Sequence, residues 1–205
     1  YLPVCKAMLD LGPEWLDKYV RTVLAESMYI ALEQAVIAGT GKDQPIGMIK
    51  DLAGAVVDGV YPDKTATAIT DLDPATLGAE IMAPLTNGGK RSVSNVIMIV
   101  NPLDYWSKVF PAITTRNASG EYVQSTAIPI RFIESTEVTV GTAVCGMAKD
   151  YFLGVGNTQK IQYSDEVRFI EDERVYINKQ YANGRPKAND SFLVFDISGI
   201  GVPTP

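Results

Sequence analysis

The spacing of apolar and polar positions changes several times along the chain, and each change predicts an element. From Pro13 to Ala38 apolar residues recur as Trp15/Leu16, Tyr19/Val20, Val23/Leu24, Met28, Ala31/Leu32 and Ala35/Val36, the pattern of one broad helical face. Pro13 suits a first helical turn, where its missing N–H does no harm, and Glu14 and Asp17 favour the positive end of the dipole. Glu14 with Lys18 and Asp17 with Arg21 add i,i+4 pairs. Gly39 follows the last periodic residue, where a glycine can take a left-handed cap. Such a helix is about 39 Å long, a spine rather than a packing helix of average size.

Beyond it, "QPIGMIKD" reads as a turn into a short extended segment. Asp73 as N-cap and Pro74 at the first position open a second helix, "PATLGAEIMAPL". "NVIMIV" (Asn95 to Val100) is an apolar run of strand length, and Asn101-Pro102 starts the helix "PLDYWSKVFPAI". The pieces "AIPIRFIES", "TEVTVGTAVCGMAK" and "YFLGVG" read as extended, with a turn at Asn117-Ala118-Ser119-Gly120. Glu166 to Tyr181 is β-favouring and contains no Gly or Pro, so it predicts one strand of roughly 50 Å with charges on both faces. "NGRPKAND" then reads as a turn and "SFLVFDI" as a last apolar strand. A long helix and a long two-sided strand in so small a chain imply an extended subdomain completed by other molecules.

Composition narrows the function classes. The 205 residues allow one ordinary core or two small ones; 46% are hydrophobic and 20% charged, and no apolar run approaches the length of a membrane-crossing helix. A net charge of -6 argues against broad attraction to nucleic acid. Cys5 and Cys145 are too far apart in sequence to suggest a disulfide framework. There is no histidine, which removes every Ser-His, Cys-His and His-metal arrangement. The first residue is Tyr1, so the chain is expected to be a piece of a longer protein.

Candidate chemistry is sparse. Gly39-Thr40-Gly41-Lys42 looks like half of a phosphate-binding loop, but a helix precedes it where a strand is needed, and Asp43 stands where Ser or Thr belongs. A helix cap and turn is the simpler reading. Within Glu171-Asp172-Glu173, alternation on a strand puts only Glu171 and Glu173 on one face, with Arg168 and Arg174 near enough to pair, so a charge ladder is favoured over a metal site. Asp71 and Asp73 lack the glycine and closing glutamate of a calcium loop. Cys145 has no activating base, and the two Asn-x-Ser sequences at Asn117 and Asn189 are taken as chance. No catalytic, cofactor-binding or metal-ligating residue is assigned.

The helix ending in "GTGKDQPIGM" is similar to the helix and G-x-G-x-x-x-P-x-G turn of tailed-phage major capsid proteins, the Hong Kong 97-type fold. "VIMIVNPLDYWSKVF" resembles the family's strand, Asn-Pro and helix; "GTAVCGMAKDYFLGVG" resembles its central strands. The stretch from "IQYSDEV" to "FLVFDI" resembles its terminal long strand, turn and final strand. Together these stretches extend the likeness over nearly everything from Leu2 to Ser198.

The resemblance implies an α+β fold with a long spine helix, a long β hairpin and a compact mixed α/β axial subdomain. It divides the chain into a peripheral subdomain (1–40 and 160–189) and an axial one (41–159 and 190–205), with Gly39, Gly41, Pro45 and Gly47 as the structural motif at their junction. It further implies a non-enzymatic subunit of an icosahedral phage or prophage shell that self-assembles into pentamers and hexamers around double-stranded DNA without binding it specifically. The expected place is the virion, after assembly in the bacterial cytoplasm, with a scaffolding domain, maturation protease and portal as further partners and no membrane or cofactor. An encapsulin-like compartment is the alternative, and a nucleotide-binding protein using Gly39–Lys42 a weaker one. The family's N-terminal arm and extended loop have no counterpart in these residues, so poor assembly of this piece is expected, and no subunit cross-link is assigned.

Overall fold

The computed structural model describes residues 1–124, 126, 128–156 and 161–201. Its early strands are β1 Leu2–Cys5, β2 Thr67–Ala68, β3 Val96–Val100, β4 Thr114–Arg116, β5 Tyr122–Gln124 and β6 Ile130–Glu134. Six more follow: β7 Thr142–Met147, β8 Tyr151–Val155, β9 Gln162–Arg168, β10 Glu173–Ile177, β11 Ala182–Pro186 and β12 Phe192–Asp196. The helices are α1 Pro13–Ala38, α2 over 74–85 and α3 over 102–113. Two compact units result, Tyr1–Gln34 with Leu153–Asn183, and Ala35–Phe152 with Gly184–Pro205.

In the first unit, α1 has the bounds that its periodicity predicts. Leu16, Val20 and Leu24, four residues apart, form one stripe and are buried with Val4 of β1, while Leu2, Ile161 and Tyr176 pack around them. The other faces of α1 remain bare: Trp15 stacks on Tyr19 at 5.4 Å, and Tyr29 and Ile30 are exposed. Of the two expected ion pairs, Asp17–Arg21 closes at 2.7 Å, and Glu14–Lys18 is not among the ion pairs of the described residues. β1, β10 and β9 form an antiparallel sheet in that order.

The single strand expected over Glu166–Tyr181 is instead a hairpin. β9 ends at Arg168 and β10 begins at Glu173. Between them Asp172 takes a φ of 54° and donates its N–H to the Phe169 carbonyl at 3.2 Å. Aspartate tolerates the left-handed region, so the chain reverses without the Gly or Pro that would have announced it. Arg168 meets Glu173 at 2.7 Å, and Arg174 grips Asp165 with two bonds of 2.6 and 2.9 Å while lying 4.6 Å over the Tyr163 ring. The expected ladder thus resolves into pairs inside the hairpin.

The second unit is built on a five-stranded mixed sheet, order β2-β12-β7-β3-β6. β7 runs antiparallel to β3 and β12, while β3–β6 and β12–β2 are parallel. The apolar run of β3 is central, and Val96, Met98 and Val100 are buried with Leu77, Ile81 and Leu85 of α2, Val109 and Ile113 of α3, and Phe195 and Ile197. Ile99, Val144 and Phe192 belong to a second cluster with Ile37, Met48 and Val138. Burial on both faces explains why these strands read as unbroken apolar runs. Both shorter helices widen into π-turns, Leu77–Met82 and Tyr105–Val109, each just ahead of a proline, Pro84 or Pro111, that cannot donate to the ordinary ladder.

Two further expectations need correction. Residues read as a turn in "NGRPKAND" include β11, which pairs with β8, and the reversal is confined to the short turn Asn189–Ser191. Asp73 stands at the N-cap but makes no side-chain cap; instead the Asp71 carboxylate, two residues earlier, accepts from the Asp73 N–H at 3.1 Å.

Candidate functional site

The turn after α1 is the feature that the sequence singled out, and its geometry is set by backbone approach. The last carbonyls of a helix have no partner within it. Here the chain folds back to supply them: Met48 N–H donates to Val36 O at 2.9 Å, Ile49 N–H to Ile37 O at 3.2 Å and Gly47 N–H to Gly39 O at 2.8 Å. A bridge between Thr40 and Ile46 closes the loop.

Gly39 is not a left-handed cap. It lies outside the positive-φ residues, and a side chain there would run into the carbonyl oxygens of Ala35 and Pro45. At Gly47 an added Cβ would lie 2.6 Å from Ile37 O and 2.7 Å from Gly39 N. Both glycines are required because two backbone segments touch. Gly41 has a left-handed φ, 89°, as does Asp43 at 56°, and Gly41 packs against the Tyr61 ring; Pro45 is buried. Lys42 is exposed, and its N–H points to Thr40 Oγ1 at 3.4 Å. Donors at 48 and 49 are engaged with the last helix carbonyls, and α1 turns the negative end of its dipole towards this loop, the end that disfavours phosphate.

Nor do the other candidates assemble into chemistry. Cys145 is fully buried at the centre of the sheet, and burial alone pushes its thiol well above the ordinary range. Asp71 is half-buried, and its carboxyl is held below the ordinary value by hydrogen bonds, from Thr76 first and then the Asp73 backbone. Among the described residues, no three His, Cys, Asp or Glu side chains come together as a metal would need.

The sequence did not reveal the buried ionic groups. Asp104, one residue into α3 beyond Leu103, is 1% exposed; it accepts the Gly141 N–H at 2.6 Å and faces the Lys108 ammonium at 2.8 Å. Asn101 completes this stitching: its Oδ1 accepts from Leu103 N–H at 3.0 Å and its amide donates to Val138 O at 2.9 Å. Asp150 is likewise buried against Arg91 at 2.6 Å, and Arg91 also donates to Leu85 O. Tyr151 donates its hydroxyl to Ile46 O at 2.9 Å, and burial raises it to about 12. Lys64 donates to Phe192 O at 2.8 Å, and burial lowers its pKa. Each of these groups bonds to backbone or to an opposite charge, which is the behaviour of structural polar groups. The Asn-Pro motif was a signal for Asn101, but its reach to Val138 depends on the tertiary fold.

No family model and no curated protein matches the sequence. Solved structures do match, over nearly the whole chain. The capsid of a native GTA particle superposes with a TM-score of 0.59 at 13% identity, covering 96% of this chain and 70% of that one. A chain of Gordonia phage Cozz gives 0.59 at 14%, covering 96% and 68%. This is the Hong Kong 97-type capsid fold. The same fold extends to the SrpI encapsulin of Synechococcus elongatus, with a TM-score of 0.52 at 14% identity, covering 98% of this chain and 72% of that one. At such identities the likeness is one of fold, an α+β arrangement with one long helix and several sheets.

Proposed function

We propose that this chain is a structural subunit of an icosahedral phage or prophage capsid shell, assembling with copies of itself into pentamers and hexamers around double-stranded DNA. The observation that carries the reading is a capsid fold matched over 96% of the chain. A helix with one buried stripe and bare aromatic residues elsewhere supports it, because exposed apolar area of this kind marks association surfaces. The net charge of -6 suits a wall that does not hold packaged DNA tightly.

In this reading the unit containing most of α1 and the hairpin is the peripheral subdomain, and the five-stranded unit is the axial one. Gly39, Gly41, Pro45 and Gly47 form the turn just after the point, between Gln34 and Ala35, at which the chain passes from one unit to the other, and no residue is catalytic. Scaffolding domain, maturation protease and portal are the further partners, and assembly takes place in the bacterial cytoplasm before the subunit becomes part of the virion.

Expression from the complete reading frame should give hollow particles of uniform diameter by electron microscopy. Only monomers, over wide ranges of concentration and ionic strength, would overturn the reading. The encapsulin match favours a second version, a protein compartment with enzyme cargo. Particles that co-purify with a single protein and no DNA decide for that version.

A further inference from the structure

Two surface features carry charged groups without an ion-pair partner among the described residues, and they complement each other. The first is a depression of about 440 Å³ in the five-stranded unit, at the joined ends of β8 and β11. Lys149, Arg185 and Lys187 line it, together with the ring of Phe152, which is 70% exposed. Among the described residues none of the three cations makes a side-chain hydrogen bond or ion pair, in a chain whose net charge is -6. The second is the β9–β10 turn. There Ile170 is 96% exposed and Phe169 73%, and Glu171 makes no ion pair among the described residues. Its neighbour Asp172 is engaged by Lys6 at 3.3 Å, and Lys6 also lies 5.3 Å over the Phe169 ring, so the turn is held in shape while Ile170, most of Phe169 and Glu171 stay exposed.

We infer that the β9–β10 turn of one copy docks into the basic depression of a neighbouring copy, with Glu171 meeting Arg185 and Lys187 and with Phe169 and Ile170 covering Phe152. The inference rests on the shell reading and names one of its contacts. A nucleic acid would satisfy the three cations but would leave Ile170 bare. An acidic turn with an apolar tip answers both the charge and the exposed ring. Convergence of unpaired charge of one sign beside an aromatic is the arrangement in which complementary charge steers association and a buried ring anchors it.

Two experiments test it. A head-to-tail cyclic peptide of residues 167–174, titrated into the full chain, should shift the amide resonances around Lys149, Phe152 and Lys187. Arg185→Glu with Lys187→Glu should weaken that binding at least about tenfold, the loss of one good ion pair or more. In the assembling protein, Glu171→Lys or Arg185→Glu alone should cut particle yield about tenfold, and the two together in one chain should restore it. A double variant no better than either single one, with wild-type particles intact, overturns the docking and leaves the shell reading standing. No resonance shift on adding the peptide overturns the docking whether or not particles form. A short DNA duplex that displaces the peptide also overturns it, in favour of a phosphate-binding surface.

Discussion

The two units differ in how much of their stability they contain. The five-stranded unit encloses a large cluster around Val96, Met98, Val100, Leu85 and Phe195, and a second one around Phe192 and Val144. Among the described residues, the unit with the long helix buries the apolar side chains of Val4, Leu16, Val20, Leu24 and Val175, yet exposes Trp15, Tyr29, Tyr163, Val167, Phe169 and Ile170. An ordinary domain hides such residues. Here the element with the strongest helical signal has the thinnest core, which shows that local propensity and pairing within the hairpin can shape a unit whose apolar surface is left for partners.

The largest expected effect lies in the thick core. Phe192→Ala removes a fully buried ring that packs on Tyr151 and should cost about 3–5 kcal/mol, read from urea unfolding of the whole chain. Leu16→Ala should cost about 2–3 kcal/mol, and the contrast between units predicts where it appears. Amide exchange should quicken in β1 and β10 and stay unchanged in β3 and β7. Equal quickening in both would show that the units unfold as one. At the turn after α1, Gly47→Ala should cost about 1–3 kcal/mol, because backbone atoms surround the new methyl. Gly78→Ala in α2 meets nothing within 4 Å and should be neutral or stabilise by about 0.5–1 kcal/mol, so the pair separates close approach from helix propensity. Thermal melts of both variants check it.

The smallest effect concerns acid. The Arg174 hydrogen bond holds the Asp165 carboxyl below its usual value of 3.8, with Lys6 adding a weaker attraction. A lowered folded pKa means that the contribution is present above the unfolded value and is lost as pH falls through the folded one. Protection of β9 and β10 amides should therefore fall as pH drops below about 4. Asp165→Asn should already show the lower protection at neutral pH and add no further loss of this origin.

Much of the fold was legible wherever periodicity was long. The 26 residues of α1, the Asn-Pro start of α3 and the apolar runs of β3 and β12 all lie where the pattern put them. Reversals were harder to see. The break in Glu166–Tyr181 depends on one left-handed aspartate, and β11 hid inside a segment rich in turn-forming residues because Gly184 and Pro186 are buried there by neighbours distant in sequence. The glycines after α1 were found for the wrong reason. Gly39 and Gly47 are set by contact between two backbone segments, and no rule applied to single residues reports that. The basic depression was invisible for a related cause, since Lys149 lies far along the chain from Arg185 and Lys187 and only β8–β11 pairing joins them.

The bonds that seal the end of α1 also bear on the order in which the chain folds. They join residues 36–39 to residues 47–49, a loop of roughly ten residues whose closure is fast and costs little entropy. β2 cannot join β12, nor β7 join β12, until long stretches of chain have been gathered in. The helix end and its turn can thus be in place on a nascent chain before the sheet that later buries Ile37 and Met48 has been synthesised.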